Sequence, residues 1–524
     1  MNPLSRLSAT QAVALLKKGE VSPLEMIDAA AARIVETDGV LNAMPILCLD
    51  RAREQARQVM RQRRSAHPPH YLHGLPIAVK DNVHVQGVRC TMGSPILADQ
   101  VSAQSDPCVQ RLEANGALVI GKSNIPEFAA GGNTFNEVFG ITRNPWNTTR
   151  TPGGSSGGTA AALASGQVWL ATGNDFGGSI RLPASFCSLV GLRPTAGLVP
   201  RIQKQPYSPL NVEGPLARSV ADCALMLECE AGWHPLDPLS WPVQQGAYLA
   251  AASNPQAPRG IAFSLDLGFY PTLDAEVARV CTDAARKMQA AGCAVEPTHP
   301  DLADAYETFQ VLRGAGFVAN MGAFLEQHRD RLKPEVIANA EYGFGLRAAD
   351  IARAEIAQGE IVRRMARFLE RHEVLICPTA MTPAFPVEQR YLESLNGVPF
   401  EGYMGWLAPT CAISVTGCPV LALPCGFTND GLPVGLQVIG APRTEARLLQ
   451  IGAWLEQVLQ VAPGTPIDPR VLARGRPRPT ANQSDSGKAS RNASPKAYEP
   501  PRVSVILTRS RTPGAMDTRS LSKS

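Results

Sequence analysis

The region from Leu72 to Pro200 constrains the fold most strongly, because short apolar runs alternate there with glycine turns and helical stretches. Residues 76–79, 117–120 and 168–171 are predicted to be buried strands, since their apolar residues are continuous. Thr159–Ser165 is a predicted helix within the same region. Strands that alternate with helices favour an α/β fold, in which helices cover both faces of a sheet.

The flanking segments continue this pattern. Ser8 and Ser22 each begin a capping box, completed three residues later by Gln11 and Glu25, and they predict two N-terminal helices. Further helices are predicted over Asp274–Ala291, within 302–373 and over Thr444–Val458, and further strands over 259–264, 374–376, 420–423 and 435–439.

Positive charge is concentrated at the C-terminal end of the chain. The 524 residues have a formal net charge of +4. Residues 475–524 hold ten Lys or Arg against three Asp or Glu, which gives +7 and leaves −3 for the preceding 474 residues. The basic excess therefore does not indicate a nucleic-acid partner for the folded body. Because residues 470–524 have few core-forming side chains, they are predicted to be a disordered, dispensable tail.

The cysteines and the apolar segments indicate a cytoplasmic protein. Twelve cysteines are scattered without a CxxC pair or a repeated spacing, so they are predicted to be reduced thiols, mostly in the core. The first residues show no basic stretch followed by a long apolar stretch, as a signal peptide would. No run of about 18 apolar residues is found either, and no association with a membrane is predicted.

Three glycine-containing segments carry residues suited to amide hydrolysis: 74–82 (GLPIAVKDN), 153–158 (GGSSGG) and 174–183 (NDFGGSIRLP). This reaction needs a nucleophile, a base and hydrogen-bond donors for an oxyanion. Ser179 is the candidate nucleophile. Lys80 is the candidate base, because burial at the end of an apolar run lowers the pKa of a lysine. Ser155 is flanked by glycines and can pass a proton between the two.

The glycines before Ser179 also predict an oxyanion hole. The backbone N–H groups of Phe176, Gly177, Gly178 and Ser179 can converge on one point without obstruction by side chains. Ser179 is further predicted to begin a helix, whose positive end would act on the same point. Only 24 residues separate Ser155 from Ser179, enough for one helix and one strand that return the chain to the same sheet edge.

These segments resemble the amidase signature family, which has the same GGSSGG segment and a nucleophile in a D-x-G-G-S block at this spacing. The flanking sequence agrees over about residues 7–469. It includes HGLPIAVKDN at 73–82, IGKSNIPEF at 120–128, RNPWN at 143–147, VGLRPT at 190–195, CPT at 377–379, GCPV at 417–420 and GLPVGLQ at 431–437.

The resemblance implies a mechanism, a fold and a domain boundary. Lys80 would be the base, Ser155 the serine of a cis peptide and Ser179 the acylated nucleophile. Residues 7–469 would form a single α/β domain with a large mixed sheet between helical layers. Gly131, Gly132 and Asn133 are expected to bind substrate. No cofactor or metal is implied, and a homodimer is plausible by resemblance.

We therefore predict an amidase that converts a small or medium carboxamide to a carboxylate and ammonia or an amine. One alternative is the glutaminase (A) subunit of a tRNA-dependent amidotransferase. Leu182 argues against it, because that branch of the family typically has Gln there. A second alternative is a catalytically silent scaffold, which the intact Ser-Ser-Lys set opposes. Phe176 replaces the smaller residue of many members and is expected to crowd the acyl pocket.

Two further patterns are weaker. Residues 154–158 match G-x-S-x-G, which would make Ser156 a nucleophile, but a loop precedes Ser156 where a strand is required. His67, His70 and His73 are evenly spaced, but prolines lie between the first two and no acidic or cysteine cluster joins them. A loop is therefore favoured over a metal site.

Overall fold

A computed structural model describes residues 1–62, 67–461 and 464–471. The predicted tail, 470–524, lies outside these ranges except for its first two residues. The helices are α1 (Pro3–Arg6), α2 (Ala9–Lys18), α3 (Pro23–Leu41), α4 (Leu49–Met60), α5 (Pro107–Ala114), α6 (Gly157–Ala164), α7 (Arg181–Phe186), α8 (Val220–Glu230), α9 (Ala247–Ala252), α10 (Ala275–Ala290), α11 (Ala305–His328), α12 (Pro334–Phe344), α13 (Ala348–Arg371), α14 (Ala408–Val415) and α15 (Glu445–Leu459).

Four short 3-10 helices cover Pro95–Leu97, Glu127–Ala129, Arg329–Arg331 and Gly405–Leu407. The strands are β1 (Ile46–Leu47), β2 (Leu75–Lys80), β3 (Ala117–Ser123), β4 (Phe135–Asn136), β5 (Gly140–Ile141), β6 (Leu170–Asp175), β7 (Val190–Arg193), β8 (Val212–Ala217), β9 (Ile261–Phe263), β10 (Val295–Pro297), β11 (Val374–Pro378), β12 (Ser394–Leu395), β13 (Val398–Pro399), β14 (Val420–Phe427) and β15 (Pro433–Ile439). All these counts refer to the described residues.

Within the described residues, eleven strands form one sheet in the order β1-β3-β2-β6-β8-β7-β14-β15-β11-β9-β10. Strands β3, β2 and β6 are parallel to one another, and so are β11, β9 and β10. The pairings from β6 through β8, β7, β14 and β15 to β11 are antiparallel. The sheet is therefore mixed, as predicted.

Helices flank this sheet and cover both of its faces. Strands β2, β3, β6, β8, β11 and β15 are buried along their whole length. Successive side chains of a strand point to opposite faces, so complete burial requires a covering layer on each side. Among the described residues, no helix combines the length and the apolar character needed to cross a membrane.

The sequence patterns correspond to the observed elements. The runs at 76–79, 117–120 and 168–171 lie in or overlap β2, β3 and β6. Both predicted capping boxes are present. Ser8 accepts a bond from the backbone N–H of Gln11, and Ser22 accepts one from that of Glu25. One helix and one strand, α6 and β6, separate Ser155 from Ser179, as the spacing predicted.

Candidate active site

The three predicted catalytic residues lie at one edge of the sheet. Lys80 is the last residue of β2, Ser155 precedes α6, and Ser179 follows β6. Strands β2 and β6 are parallel neighbours, so their carboxyl ends open at the same edge. The Nζ atom of Lys80 lies 2.8 Å from Oγ of Ser155. The peptide bond between Gly154 and Ser155 is cis, as the resemblance implied.

Ser155 and Ser179 both line a cavity of about 350 Å³. The backbone also links the two segments, because the N–H of Ser156 donates to the carbonyl of Ser179 at 3.2 Å. The two serines are therefore brought to one cavity by adjacent segments of the chain.

The surroundings of Lys80 favour its neutral form. Its side chain is fully buried, and this burial lowers the pKa of Lys80 to about 7, against a smaller opposing effect of Glu213 and Asp175. Its Nζ also lies 2.6 Å from Oδ1 of Asn174. A neutral amine that donates to Asn174 keeps its lone pair for the hydroxyl proton of Ser155.

The sequence motifs did not assign a role to Asn174. Its amide nitrogen donates to Oδ1 of Asn82 at 3.0 Å, which orients its oxygen toward Lys80. The backbone N–H of Lys80 donates to Oγ1 of Thr172 at 3.0 Å. The last residues of β6 therefore hold the lysine at both its backbone and its amine.

The predicted oxyanion hole needs one correction. The N–H of Gly178 donates to Oδ1 of Asp175 at 2.8 Å. It therefore points into the protein interior and is not available to an oxyanion. Phe176, Gly177 and Ser179 line the cavity. Their backbone N–H groups remain candidate donors to an oxyanion. The carbonyl of Gly177 accepts a bond of 2.7 Å from Oγ1 of Thr410, which fixes the peptide that carries the N–H of Gly178.

Ser179 also does not begin a helix. Helix α7 starts at Arg181, two residues later, and has only six residues. The chain is instead fixed here by Asp175, which accepts bonds from the guanidinium of Arg181 at 2.9 and 3.0 Å. Arg193 lies 3.3 Å from the same carboxylate. Burial raises the pKa of Asp175, but the two arginines outweigh burial and hold that pKa well below its usual range.

This ion cluster was not predicted from the sequence. The signal was available, because Asp175 and Arg181 are charged residues within a segment that is otherwise small and apolar. Arg181 also donates to Gln437 on β15 at 2.6 Å and to Ser414 on α14 at 2.7 Å. Together with Arg193 on β7, these contacts tie the segment that carries Ser179 to three other elements.

Of the three residues expected to bind substrate, only Gly131 lines the cavity. A Cβ atom on Gly132 would lie 2.4 Å from the ring of Trp406, so this glycine permits close packing. Asn133 uses its amide nitrogen on the carbonyls of Val387 and Gln389, at 2.9 and 2.8 Å. Its oxygen accepts a bond from Thr151. Gly132 and Asn133 therefore support the loops behind the site.

The walls of the cavity combine apolar side chains, among them five phenylalanines, with polar and charged ones. Phe176 lines the cavity, and its ring packs edge-on against Phe309 with 5.5 Å between centroids. Arg201, Lys204 and Arg313 supply positive charge. Within the part of the chain that the structure describes, no Asp or Glu lines this cavity.

Two of the evenly spaced histidines, His67 and His73, pack with the ring of Tyr71. His67 stacks on Tyr71, with 3.7 Å between the ring centroids and 5° between the planes. Across residues 1–62, 67–461 and 464–471, no three His, Cys, Asp or Glu side chains are grouped so that they could hold a metal ion.

Comparison with known proteins identifies related sequences over most of the chain. Residues 25–449 match the family model described as Amidase. The A subunit of the glutamyl-tRNA(Gln) amidotransferase from Prochlorococcus marinus (strain MIT 9313) is 35% identical over 477 residues, covering 86% of this chain and 97% of that protein.

Solved structures are similar over a comparable length. A bacterial aryl acylamidase of the amidase signature enzymes superimposes with a TM-score of 0.82 at 26% identity, covering 89% of this chain and all of that one. A 6-aminohexanoate cyclic dimer hydrolase gives a TM-score of 0.79 at 28% identity, covering 90% of this chain and 99% of the other.

Proposed function

The chain belongs to the amidase signature family of carbon–nitrogen bond hydrolases, and on that premise we propose that it cleaves a carboxamide through an acyl intermediate on Ser179. The observation that carries this proposal is the 2.8 Å contact between the buried amine of Lys80 and Oγ of Ser155, at the edge of a cavity that Ser179 shares.

The proposed reaction proceeds in two halves. Neutral Lys80 takes a proton from Ser155, which takes one from Ser179, whose oxygen attacks the amide carbon. The N–H groups of Phe176, Gly177 and Ser179 are the candidate donors to the oxyanion. The relay then returns the proton to the leaving nitrogen and an amine or ammonia departs. Water cleaves the ester by the same route and releases the carboxylate.

The first candidate is an amidase that acts without partner subunits on an amide whose acyl part contains an apolar carbon chain. Five phenylalanines and three methionines line the cavity, and they would pack against such a chain. Free glutamine carries an ammonium group, and the described lining residues include no carboxylate to bind it.

The second candidate is the glutaminase component of a tRNA-dependent amidotransferase. The relatives favour it over the first candidate, since the A subunit of a glutamyl-tRNA(Gln) amidotransferase is 35% identical and matched over 97% of its length. The sequence argument against this candidate is weak, because Leu182 is buried outside the set of residues that line the cavity. This function would require partner subunits.

Labelling with a fluorophosphonate tests the acylation of Ser179, which both candidate functions require. The probe should modify Ser179, and Ser179→Ala should abolish both labelling and turnover. Ser156→Ala is the matched control, because Ser156 is the neighbouring buried serine that the G-x-S-x-G pattern would select. A label on Ser156, or full activity in Ser179→Ala, would overturn the proposal.

Assays of the purified chain separate the two candidates. The first candidate predicts steady hydrolysis of aliphatic or aryl amides by the isolated chain, with glutamine a poor substrate. The second predicts that glutamine is preferred and that its hydrolysis rises when amidotransferase partner subunits are added. Whichever of these patterns is observed rejects the other candidate.

A further inference from the structure

Arg313 is a buried cation in the wall of the candidate active-site cavity. It lies on α11 and is only 6% exposed. Its guanidinium carbon lies 4.3 Å from the ring centroid of Phe317, and 5.8 Å from those of Phe176 and Tyr403. One terminal nitrogen donates to the hydroxyl of Tyr403. Three aromatic rings therefore hold the guanidinium in place.

The charge of Arg313 is not balanced by a carboxylate. Among the described residues, Arg313 forms no ion pair, and its Nε atom is buried without a hydrogen-bond partner. Glu335, on the adjacent helix α12, is already bound by Arg390 through two bonds of 2.8 and 2.7 Å. A buried cation that lacks an anionic partner is costly, so an anion from outside the protein would be stabilised here.

The other cations of the cavity differ from Arg313. Arg201 is paired with Glu213 at 3.2 Å. Lys204 is exposed and donates to the backbone carbonyls of Ala319 and Asn320. Arg313 is therefore the lining cation that combines burial with the lack of a carboxylate partner in the described residues.

Arg313 is also close to the proposed reaction centre. The ring of Phe176 contacts Arg313, and the backbone of Phe176 belongs to the candidate oxyanion segment three residues before Ser179. Phe309, one helical turn before Arg313, packs on the same ring. Ser179 and Arg313 therefore line one cavity, in which aromatic rings lie next to the guanidinium.

We propose that Arg313 binds a carboxylate on the acyl part of the substrate, so that the substrates are monoamides of dicarboxylic acids. This inference rests on the proposed hydrolysis at Ser179. A guanidinium presents a rigid fork of N–H donors that matches a carboxylate. The terminal nitrogen Nη1, which does not bind Tyr403, is available for it. Aromatic walls suit the carbon chain between the two ends.

A pair of substrates of equal length tests the proposal. Glutaramate carries the carboxylate, and pentanamide has a methyl group in its place. The wild-type enzyme should prefer glutaramate in kcat/KM by on the order of 100-fold, which is typical of hydrogen bonds to a charged group. Arg313→Met keeps an apolar side chain of similar length and should collapse that ratio, mainly by raising KM for glutaramate.

The control is Lys204→Met, which removes an exposed positive charge from the same cavity and should preserve the preference. A wild-type enzyme without preference for glutaramate, or an equal loss for both substrates in Arg313→Met, would overturn the proposal. If Arg313→Met fails to fold, the ratio of kcat/KM for glutaramate to kcat/KM for pentanamide in the wild-type enzyme still tests the proposal.

Calorimetry separates failure of the subsite from failure of the proposed function. The product glutarate should bind Ser179→Ala, which cannot form an acyl intermediate, and should not bind Ser179→Ala with Arg313→Met. Glutarate binding without amide hydrolysis by the wild type would reject the function and keep the subsite. Amide hydrolysis without glutarate binding would reject the subsite alone.

Discussion

Lys80 is the residue whose protonation should set the pH dependence of the proposed reaction. Only its neutral form can accept a proton, and burial lowers its pKa to about 7. We expect kcat/KM to rise about tenfold per pH unit below this value and to level off above it, since the base is then neutral. A lysine in water, with a pKa of about 10.4, would instead give a rise that continues beyond about pH 9.

Substitution of Lys80 provides the control for this pH profile. Lys80→Ala should remove the rise of kcat/KM with pH and reduce kcat by several orders of magnitude. Lys80→Arg should be equally inactive, because a guanidinium stays protonated in proteins and cannot act as a base. A Lys80→Arg enzyme with near wild-type kcat would contradict the relay.

Asn174 should adjust the basicity of Lys80, because its Oδ1 lies 2.6 Å from Nζ. Asn174→Asp places a negative charge beside the amine, which favours the protonated form. The midpoint of the pH profile should therefore move up by about one to three pH units. Asn82→Asp, one hydrogen bond further from the lysine, should give a smaller shift. A lower plateau with an unchanged midpoint would show that Asn174 acts only on structure.

At the scale of residues, the sequence motifs were sufficient to predict that Lys80 and Ser155 lie in contact. The motifs could not predict which group the N–H of Gly178 bonds to, because the direction of that N–H depends on a local backbone conformation with φ of +117°. Asn133 was misassigned for a related reason. A polar residue beside two glycines has the composition of a binding loop, but the carbonyls bound by its amide nitrogen lie more than 250 positions away in the chain.

At the scale of elements, the ion pair of Asp175 and Arg181 joins the end of β6 to α7. Both side chains are fully buried. Asp175→Asn would leave Arg181 and Arg193 buried beside a neutral amide, which should lower the free energy of unfolding by about 3–5 kcal/mol. Urea denaturation measures this loss. The double variant Asp175→Asn with Arg181→Met should lose less than the sum of the single variants, since they share one contact.

The same pair has a defined pH dependence. The pKa of Asp175 in the folded protein lies below its unfolded value of about 3.9. Its stabilising effect is therefore complete above that value and is lost as the pH falls toward the folded pKa. The deficit of Asp175→Asn should be constant between about pH 5 and 8. Glu360→Gln, in an exposed pair with Arg363, should change the melting temperature little.

The strands that could be predicted from the sequence were those made of continuous apolar residues. Strands β2 and β3 are continuous apolar runs, whereas β8 has the sequence VEGPLA and was not predicted. Its glycine and proline are typical of turns, and glutamate is depleted in strands. They are tolerated because β8 lies between β6 and β7, whose pairings outweigh the local preference. The order of the eleven described strands follows from such long-range pairings, which periodicity does not reveal.

At the scale of the whole molecule, the folded body and the C-terminal segment differ in charge. Residues 475–524 carry +7, and the rest of the chain carries −3. The point where the body ends can be located from its contacts. Arg33 is 2.8 Å from Asp468, Arg470 exchanges backbone bonds with Pro145 and Thr148, and its guanidinium lies over the ring of Trp146 at 4.6 Å.

These contacts predict different outcomes for two truncations. Removal of residues 475–524 should leave kcat and the melting temperature unchanged, because that segment has few core-forming residues and lies beyond the contacts of Arg470. The truncated protein should bind an anion exchanger at pH 7, since its net charge becomes −3. Removal from residue 466 onward should lower the melting temperature, because Arg33 then loses Asp468 and the carbonyl of Ile467. Loss of most kcat in the shorter truncation would show that the basic segment contributes to the active enzyme.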